Sequence, residues 1–123
     1  MQPSERRLHP RFRSKIEAYA VMCTDAPLLA QLIDISEGGM SVWYVDGHGE
    51  AMDADKIDLF LMNNPYRISG LPVEKTSDFE TPIDTAPPER LIRRRCFRFG
   101  HLLTDQKTAV ANFIAHHTEA ANA

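Results

Sequence analysis

The chain has 123 residues, a net charge of −3 and 43% hydrophobic residues, which suits one globular domain with its own core. No stretch approaches the roughly 18 apolar residues that span a bilayer, and no apolar run follows the basic first fifteen residues, so we expect no membrane segment, no signal peptide and a cytoplasmic protein. The two cysteines, Cys23 and Cys96, lack a CxxC spacing, which argues against a zinc site and for buried free thiols.

The arginines are unevenly distributed along the chain. Nine of the ten lie within residues 1–15 and 90–98, whereas residues 16–89 carry fourteen acidic residues against three basic ones. A guanidinium presents a planar fork of N–H donors that fits phosphate oxygens and the O6/N7 edge of guanine. Arginine clusters on an acidic protein favour a small anionic ligand over a nucleic-acid polymer, which would require a broadly basic surface. Solvated charges are the alternative that composition leaves open.

The first half of the chain predicts three strands after an irregular start. Residues 1–11 are polar and contain two prolines. Over residues 12–22 apolar and polar side chains alternate, which is typical of a half-buried strand. A second apolar run, 28–35, ends at residues 36–39, whose two adjacent glycines permit positive φ and close approach of the backbone. The β-forming residues of 40–45 predict the third strand.

The second half of the chain predicts three further strands, over residues 56–62, 66–73 and 91–103. Gly70 and Pro72 indicate that the middle one of these three is bulged or lies at the edge of a sheet. Residues 74–89 are polar and include three prolines, so they predict a long loop.

Helical periodicity replaces the alternation after residue 103. Val110, Phe113, Ile114 and His117 fall at helical spacing, and Thr104 is the predicted N-cap of a helix over residues 104–118. Six strands followed by one helix predict a mainly all-β fold. The expected architecture is an antiparallel barrel or sandwich, with the helix covering an apolar part of it.

Two short motifs lie in the first third of the chain. Arg7 and Arg11 form an RxxxR, and a DxSxxG over residues 34–39 follows about 25 residues later. In this order, within a chain of strands closed by a helix, the two motifs resemble those of the PilZ family of cyclic di-GMP receptors. The resemblance covers nearly all of residues 5–117.

The resemblance implies a single PilZ domain over residues 1–123. Such a domain would comprise a flexible arginine-bearing segment that binds the ligand (1–11), a six-stranded antiparallel PilZ-type β-barrel (12–103) and the C-terminal α-helix (104–118). The ligand that the resemblance implies is cyclic di-GMP, which has two phosphates and two guanines.

Three arginines of the N-terminal segment are predicted to bind this ligand. Arg7 and Arg11 can donate charge-assisted, bidentate hydrogen bonds to the phosphates and to the Hoogsteen edges of the guanines. Arg6 precedes the motif at a position that, by the resemblance, influences how many ligands bind. An arginine there is compatible with two stacked cyclic di-GMP molecules per chain, and a surface arginine without a ligand contact is the alternative.

The second motif is predicted to recognise guanine. The Asp34 carboxylate can accept hydrogen bonds from N1–H and N2–H₂ of guanine, a pair of donors that adenine lacks. Ser36 can bind a phosphate or a guanine atom, while Gly38 and Gly39 let backbone N–H groups approach the ligand without an intervening Cβ. Local turn chemistry is the alternative for the aspartate and the serine, because both readily bind nearby backbone.

Two further features have more than one interpretation. In a strand, Arg93 and Arg95 share one face and Arg94 the other, and they can line a ligand groove, form a partner surface or guard an exposed edge strand. Trp43 and Tyr44 also point to opposite faces, so the outward one can stack on a guanine or pack on the surface.

The resemblance implies a receptor and not an enzyme. Ligand binding would fold the arginine segment over the ligand on the barrel and alter the surface that engages an unidentified downstream protein. A nucleotide-independent PilZ-like adaptor, acting through protein contacts alone, is the alternative. The five histidines lack metal-ligand spacing and no nucleophile or phosphate-loop motif is present, so we expect no catalysis, metal or cofactor. We expect neither a membrane nor a nucleic-acid polymer as a partner.

Overall fold

The computed structural model describes most of the chain, namely residues 10–15, 17–24, 27–46, 54–62, 64–80 and 91–120. In chain order its elements are β1 (Phe12–Ser14), β2 (Ala18–Met22), β3 (Leu28–Ile35), β4 (Gly39–Asp46), β5 (Lys56–Leu61), β6 (Arg67–Glu80), β7 (Leu91–Phe99), α1 (Thr104–His117) and β8 (Thr118–Ala120).

Six of the strands form a closed antiparallel barrel. The order of hydrogen-bonded neighbours is β2-β5-β6-β7-β4-β3, and a direct pairing between β2 and β3 closes the ring. Closure removes the free edges of these six strands. The short strands β1 and β8 pair with each other, and β1 also pairs with the end of β3. The predicted fold, a six-stranded antiparallel barrel with one C-terminal helix, is therefore confirmed.

Strand alternation fills the barrel with apolar side chains. In β2, Ala18, Ala20 and Met22 are buried, whereas Tyr19 and Val21 between them are partly exposed. Full burial of a large aliphatic side chain contributes roughly 1.5–3 kcal/mol. The other strands supply the rest of the core, with fully buried side chains at Ile35, Met40, Val42, Ile57, Leu59 and Leu71.

Helix α1 packs on the barrel through its apolar stripe. Val110 and Phe113 are buried, and the ring of Tyr66 lies 5.9 Å from that of Phe113. The Tyr66 hydroxyl donates a hydrogen bond to the Ala109 carbonyl at 2.8 Å. Within the described residues, α1 is too short and too polar to be a membrane-spanning helix, and no other helix is a candidate.

The helix begins differently from the sequence prediction. Thr104 is the first helical residue, and Leu103 occupies the N-cap position. A leucine side chain cannot accept a hydrogen bond, so the usual cap is absent. The Leu103 N–H instead donates to the Gln106 side chain at 2.9 Å, and Gln106 donates to the Gly70 carbonyl at 3.0 Å. Gln106 thus satisfies the N-cap backbone and ties the helix to β6.

Strand β6 is longer than predicted. Residues 74–80, assigned to a loop from the sequence, continue the strand and pair with β7, while 81–89 lie outside the described residues. Within this extension Asp78 stands opposite Arg95 in the ladder. The extension is paired with β7 through charged side chains. It therefore lacks the hydrophobic periodicity from which a strand is predicted.

Strand β6 is bulged, as Gly70 indicated. The register with β5 shifts at this point, and Gly70 has a φ of 66°, a conformation that favours glycine. Its N–H donates to the Asp58 carboxylate at 2.8 Å. The strand lies between β5 and β7, so the alternative of an edge strand is wrong. The strand predicted over residues 12–22 is divided into β1 and β2.

Candidate functional site

A group of polar side chains lies on the outer face of the barrel where β3, β4 and β7 meet. We call Arg11, Asp34, Ser41 and Arg94 the outer cluster. Arg11 Nη1 lies 2.8 Å from Asp34 Oδ1, and the Ser41 hydroxyl donates to the same oxygen at 2.7 Å. Arg94 Nη2 lies 3.2 Å from Ser41 Oγ and 3.5 Å from Asp34 Oδ2. Residues from three other places in the sequence therefore converge on the Asp34 carboxylate.

A β-bulge places Asp34 in this cluster. The register between β3 and β4 shifts between Leu32 and Asp34, so that Asp34 pairs with Ser41 and Ile35 pairs with Met40. Leu32, Ile35 and Met40 are buried in the core. Without the extra residue, alternation from Leu32 would direct the Asp34 carboxylate into the apolar interior. The bulge therefore turns the aspartate outward while keeping Ile35 inside.

The outer cluster has excess positive charge and an open side. Two guanidinium groups contact one carboxylate, and the side chains of Arg11 and Arg94 keep 26% and 33% of their surface exposed, against 10% for Asp34. Arg94 Nε is buried without a hydrogen-bond partner in the described part of the chain. A buried donor left unpaired costs about 1–3 kcal/mol, so the protein does not fully satisfy this guanidinium.

The Ser36–Gly39 turn joins β3 to β4 and is internally hydrogen-bonded. The Gly38 and Gly39 N–H groups both donate to Ser36 Oγ, at 3.1 and 3.2 Å, and the Ser36 N–H donates to the Gly39 carbonyl at 2.8 Å. Ser36 is only 6% exposed. The serine and both N–H groups thus adopt the local turn chemistry that was the alternative, and their contact with a ligand stays a prediction.

Gly39 has a clear structural reason to be glycine. Strand β7 passes so close that a Cβ on Gly39 would overlap the Phe97 carbonyl oxygen. The close approach that the two glycines predicted is therefore found at Gly39, between two strands of the barrel. Its φ is not positive, since Gly70 alone among the described glycines has a positive φ.

The remaining predicted site residues are placed as follows. Arg6 and Arg7 lie outside the described residues, and their roles stay predictions. Trp43 lies on the outer face, directly opposite Arg94 in the ladder, whereas Tyr44 is buried. A shallow groove of about 350 Å³ lies alongside, lined by Tyr19, Leu29, Ala30, Gln31, Trp43, Tyr44, Val45 and Ile92.

A second polar group lies on the inner side of strand β7. We call Tyr44, Asp78, Arg93 and Arg95 the inner cluster. Arg95 is 2% exposed, its Nε lies 2.6 Å from Asp78 Oδ2, and its guanidinium carbon lies 5.0 Å from the centre of the Tyr44 ring. Arg93 and the Tyr44 hydroxyl also donate to the Asp78 carboxylate. One carboxylate is thus enclosed by three donor side chains.

Ionisation in the inner cluster follows from these contacts. Burial alone would raise the pKa of Asp78, but hydrogen bonds from Tyr44, Arg93 and Arg95 outweigh it, and the pKa lies below its usual value. Burial and the bond to Asp78 raise the pKa of Tyr44 to about 12. The carboxylate is therefore charged and the phenol neutral at neutral pH.

The structure excludes one of the interpretations of the three consecutive arginines. Arg93 and Arg95 share one face and Arg94 the other, as alternation predicted. Strand β7 lies between β4 and β6, so the alternative of a guarded edge strand is wrong. The sequence did not identify Arg94 and Ser41 as neighbours of Asp34, because that contact depends on the register of β4 against β3 and β7.

The described residues contain no group of three histidine, cysteine or acidic side chains that could hold a metal ion. Cys23 and Cys96 are free thiols, as expected, but both are partly exposed, so the expectation that they are buried is wrong.

Comparison with known proteins identifies the fold. No protein-family model and no curated protein matches the sequence. The structure is similar to the PilZ domain of YcgR from Escherichia coli, solved with c-di-GMP, with a TM-score of 0.70, 16% identity and 89% of each chain covered. It also resembles MrkH of K. pneumonia, solved in complex with c-di-GMP, with a TM-score of 0.69, 18% identity, and 89% and 51% of the two chains covered.

A third similar structure is the Bacillus subtilis inhibitor of motility MotI/DgrA. Its TM-score is 0.55 at 14% identity, with 92% of this chain and 54% of that chain covered. The chain spans 45% of the longer YcgR chain solved with c-di-GMP. At these identities the similarity concerns the fold, and the chain has the PilZ-domain fold.

Proposed function

We propose that this chain is a cyclic di-GMP receptor that binds the dinucleotide on the outer face of its barrel. The observation that carries the proposal is the outer cluster, in which a bulge presents Asp34 beside Arg11 on a PilZ fold. The YcgR domain and MrkH, which share this fold, were both solved with c-di-GMP. The two motifs from which the family resemblance was inferred therefore contribute one contact pair.

The mechanism begins with exchange of partners at Asp34. Asp34 Oδ1 accepts hydrogen bonds from Arg11 and Ser41, at 2.8 and 2.7 Å. A guanine brings N1–H and N2–H₂ as replacement donors for the carboxylate. Arg11 is then released toward a phosphate or the Hoogsteen edge of a guanine, to which it can donate two parallel bonds. The ligand therefore exchanges protein ion pairs for its own.

The N-terminal segment completes the proposed site. Arg6 and Arg7 supply further guanidinium groups, and with Arg6 the site accommodates two stacked cyclic di-GMP molecules. Folding of residues 1–11 over the ligand alters the neighbouring surface, which engages or releases a downstream protein. The ordering has an entropic cost, so moderate affinity is expected.

Several broader properties belong to the same proposal. The chain acts as one domain, 1–123, in the cytoplasm, and it signals by binding without catalysing a reaction. The turn beside the ligand is shaped by Ser36, Gly38 and Gly39, which contact the ligand. Cyclic di-GMP is a ligand, and neither a cofactor nor a metal is required.

Calorimetric titration with cyclic di-GMP tests the proposal, with GTP and cyclic di-AMP as competing ligands. Saturable binding of cyclic di-GMP alone is expected, and its loss in an Arg7→Ala/Arg11→Ala variant. Arg13→Ala is the matched control, because Arg13 is an exposed arginine two residues from Arg11, in β1 and so just beyond the ligand-binding segment. A stoichiometry near two would support the role of Arg6. Absence of binding at high micromolar ligand would reject the receptor and leave the nucleotide-independent adaptor.

A further inference from the structure

The two oxygens of the Asp34 carboxylate are unequally occupied. Oδ1 accepts two short hydrogen bonds, from Arg11 at 2.8 Å and from Ser41 at 2.7 Å. Oδ2 has one partner in the described part of the chain, Arg94 Nη2, at the outer limit of hydrogen bonding, 3.5 Å. Oδ2 is therefore the oxygen with unused capacity, and Arg94 lies directly beside it.

Arg94 is not firmly held by its protein contacts. Its two hydrogen bonds, to Ser41 at 3.2 Å and to Asp34 at 3.5 Å, both use Nη2, and its Nε is buried without a partner among the described residues. A guanidinium has five N–H donors in a planar fork, so most of them are uncommitted here. A third of the side-chain surface is exposed. Arg94 is thus positioned by the barrel but available to a ligand.

The chemistry of guanine places a hydrogen-bond acceptor at this location. Along the Watson–Crick edge guanine presents N2–H₂, N1–H and O6, which is donor, donor, acceptor. A carboxylate that accepts from the first two groups leaves O6 beside its own flank. A donor on that flank completes the recognition, whereas adenine presents an amino group there and would meet an N–H group with another N–H.

We infer that Arg94 determines specificity in this site by donating a hydrogen bond to O6 of the guanine whose N1–H and N2–H₂ are bound by Asp34. The inference rests on the proposed function and deepens it. It also separates the roles of the arginines. Arg11 exchanges the aspartate for the ligand, while Arg94 stays beside Asp34 and reads the base. Arg95, the next residue on β7, is buried inside the barrel and has a structural role.

The test compares cyclic di-GMP with its analogue built on 6-thioguanine. Sulfur replaces O6 and is a weak acceptor, while N1–H and N2–H₂ are retained. We expect the unmodified chain to bind the analogue at least about tenfold more weakly, which is the effect of losing one charge-assisted hydrogen bond. In Arg94→Met, which keeps the alkyl stem but has no donor, cyclic di-GMP affinity should fall similarly and the ratio between the two ligands should decrease. The preference that is left reports the arginines that bind O6 from the Hoogsteen edge.

Arg98→Met is the matched control, because Arg98 lies on the same face of β7, four residues away, and its side chain is 64% exposed. Its ligand ratio should equal that of the unmodified chain. Thermal melting and the fluorescence of Trp43, the one tryptophan of the chain, report whether each variant is folded. If Arg94→Met does not fold, Arg94→Gln replaces it, and its neutral amide should also reduce the ratio.

The outcomes distinguish the proposed receptor function from the proposed role of Arg94. If the unmodified chain does not bind cyclic di-GMP, the proposed function fails. If it binds, and the folded Arg94 variant keeps the same ratio between cyclic di-GMP and the thio analogue, the role of Arg94 is overturned while the receptor stands. Cyclic di-AMP gives an independent check, because its disadvantage against cyclic di-GMP should narrow in Arg94→Met and stay unchanged in Arg98→Met.

Discussion

The outer and inner clusters contain the same kinds of residue on the same strand but differ in how completely the charges are paired. Arg94 and Arg95 are consecutive, and alternation sends one to each face of β7. Asp78 is enclosed by Arg93, Arg95 and Tyr44, and its pKa is held below the usual value. In the outer cluster the Asp34 carboxylate has one nearly free oxygen among the described contacts, and neither of its arginines is buried as Arg95 is.

This difference shows how one residue type acquires two roles. A guanidinium inside a barrel must be fully paired, because an unpaired buried charge is strongly destabilising. A guanidinium on the outer face can stay partly unpaired, since water or a ligand supplies the missing acceptors. The inner cluster is therefore expected to govern stability, and the outer cluster to govern binding.

The largest expected effect is on stability, from Asp78→Ala. Its removal takes away the Asp78 carboxylate that Arg95, which is 2% exposed, contacts at 2.6 Å, and the free energy of unfolding should fall by about 3–5 kcal/mol. Urea unfolding followed by Trp43 fluorescence measures the loss. Asp34→Ala is the matched variant and should cost less than half as much, because Arg11 and Arg94 can turn to water. Equal losses would contradict the contrast between the clusters.

The next effect concerns ligand binding, for which a change in the outer cluster should matter more than a change in the inner cluster. Asp34→Asn keeps the size of the side chain but replaces one acceptor oxygen by a donor, so cyclic di-GMP affinity should fall about 10-fold to 100-fold. Calorimetry measures this change. Tyr44→Phe in the inner cluster serves as the control and should leave the affinity within about twofold of that of the unmodified chain. Loss of binding in the control would mean that the inner cluster also serves the ligand site.

A smaller effect on stability is expected from Tyr44→Phe itself. The change removes the hydroxyl that donates to Asp78 and accepts from Arg95 at 3.1 Å, and should lower the free energy of unfolding by about 1–2 kcal/mol. Tyr19→Phe is the comparison, because among the described residues that hydroxyl donates to the exposed Glu17 alone. Its effect should stay within about 0.5 kcal/mol. Unfolding curves that coincide for the two variants would argue against a structural role for the inner cluster.

The smallest expected effects appear in the pH dependence of stability. The folded-state pKa of Asp78 is lowered, so its contribution is present above its unfolded pKa, near 3.9, and is lost as the pH falls through the folded value. The pKa of Tyr44 is raised to about 12, so its contribution is present below pH 10 and is lost as the pH rises through 12. Between neutral and acid pH, the melting temperature should change less steeply with pH in Asp78→Asn than in the unmodified chain. An unchanged dependence of the melting temperature on pH would contradict this assignment.

The parts of the fold that follow local periodicity were predictable. Alternation predicted β2, runs of apolar and β-forming residues predicted most of the other barrel strands, and the change of period predicted the helix. The extension of β6 was missed because Asp78 lies in a polar stretch whose partners are the arginines of β7, and an ion pair across a ladder leaves no pattern in either strand alone. Thr104 was mistaken for the N-cap because Gln106, inside the helix, supplies that function.

The candidate site was predictable only where a motif existed. The RxxxR and DxSxxG predicted that Arg11 and Asp34 belong to one site, and the structure brings them into contact. No local pattern pointed to Arg94 or Ser41, because their meeting depends on a one-residue bulge in β3 and on the pairing of β4 with β7. The register of these strands is set by how they pair in the closed barrel, so it could not be predicted from the local sequence of either strand.

The pairing of β1 with β8 has a consequence for how this barrel can be joined to other proteins. Phe12 lies opposite Ala120, and the Lys15 N–H donates to the His117 carbonyl at 2.7 Å, so the described chain enters and leaves the barrel side by side. Adjacent strands are only about 5 Å apart. A unit with neighbouring ends can be inserted into a surface loop of a host protein without stretching it, or be circularly permuted through a short linker. The fold is therefore suited to insertion into another protein. In such a fusion, a ligand-induced change at Arg11 would occur next to the point where the two proteins are joined.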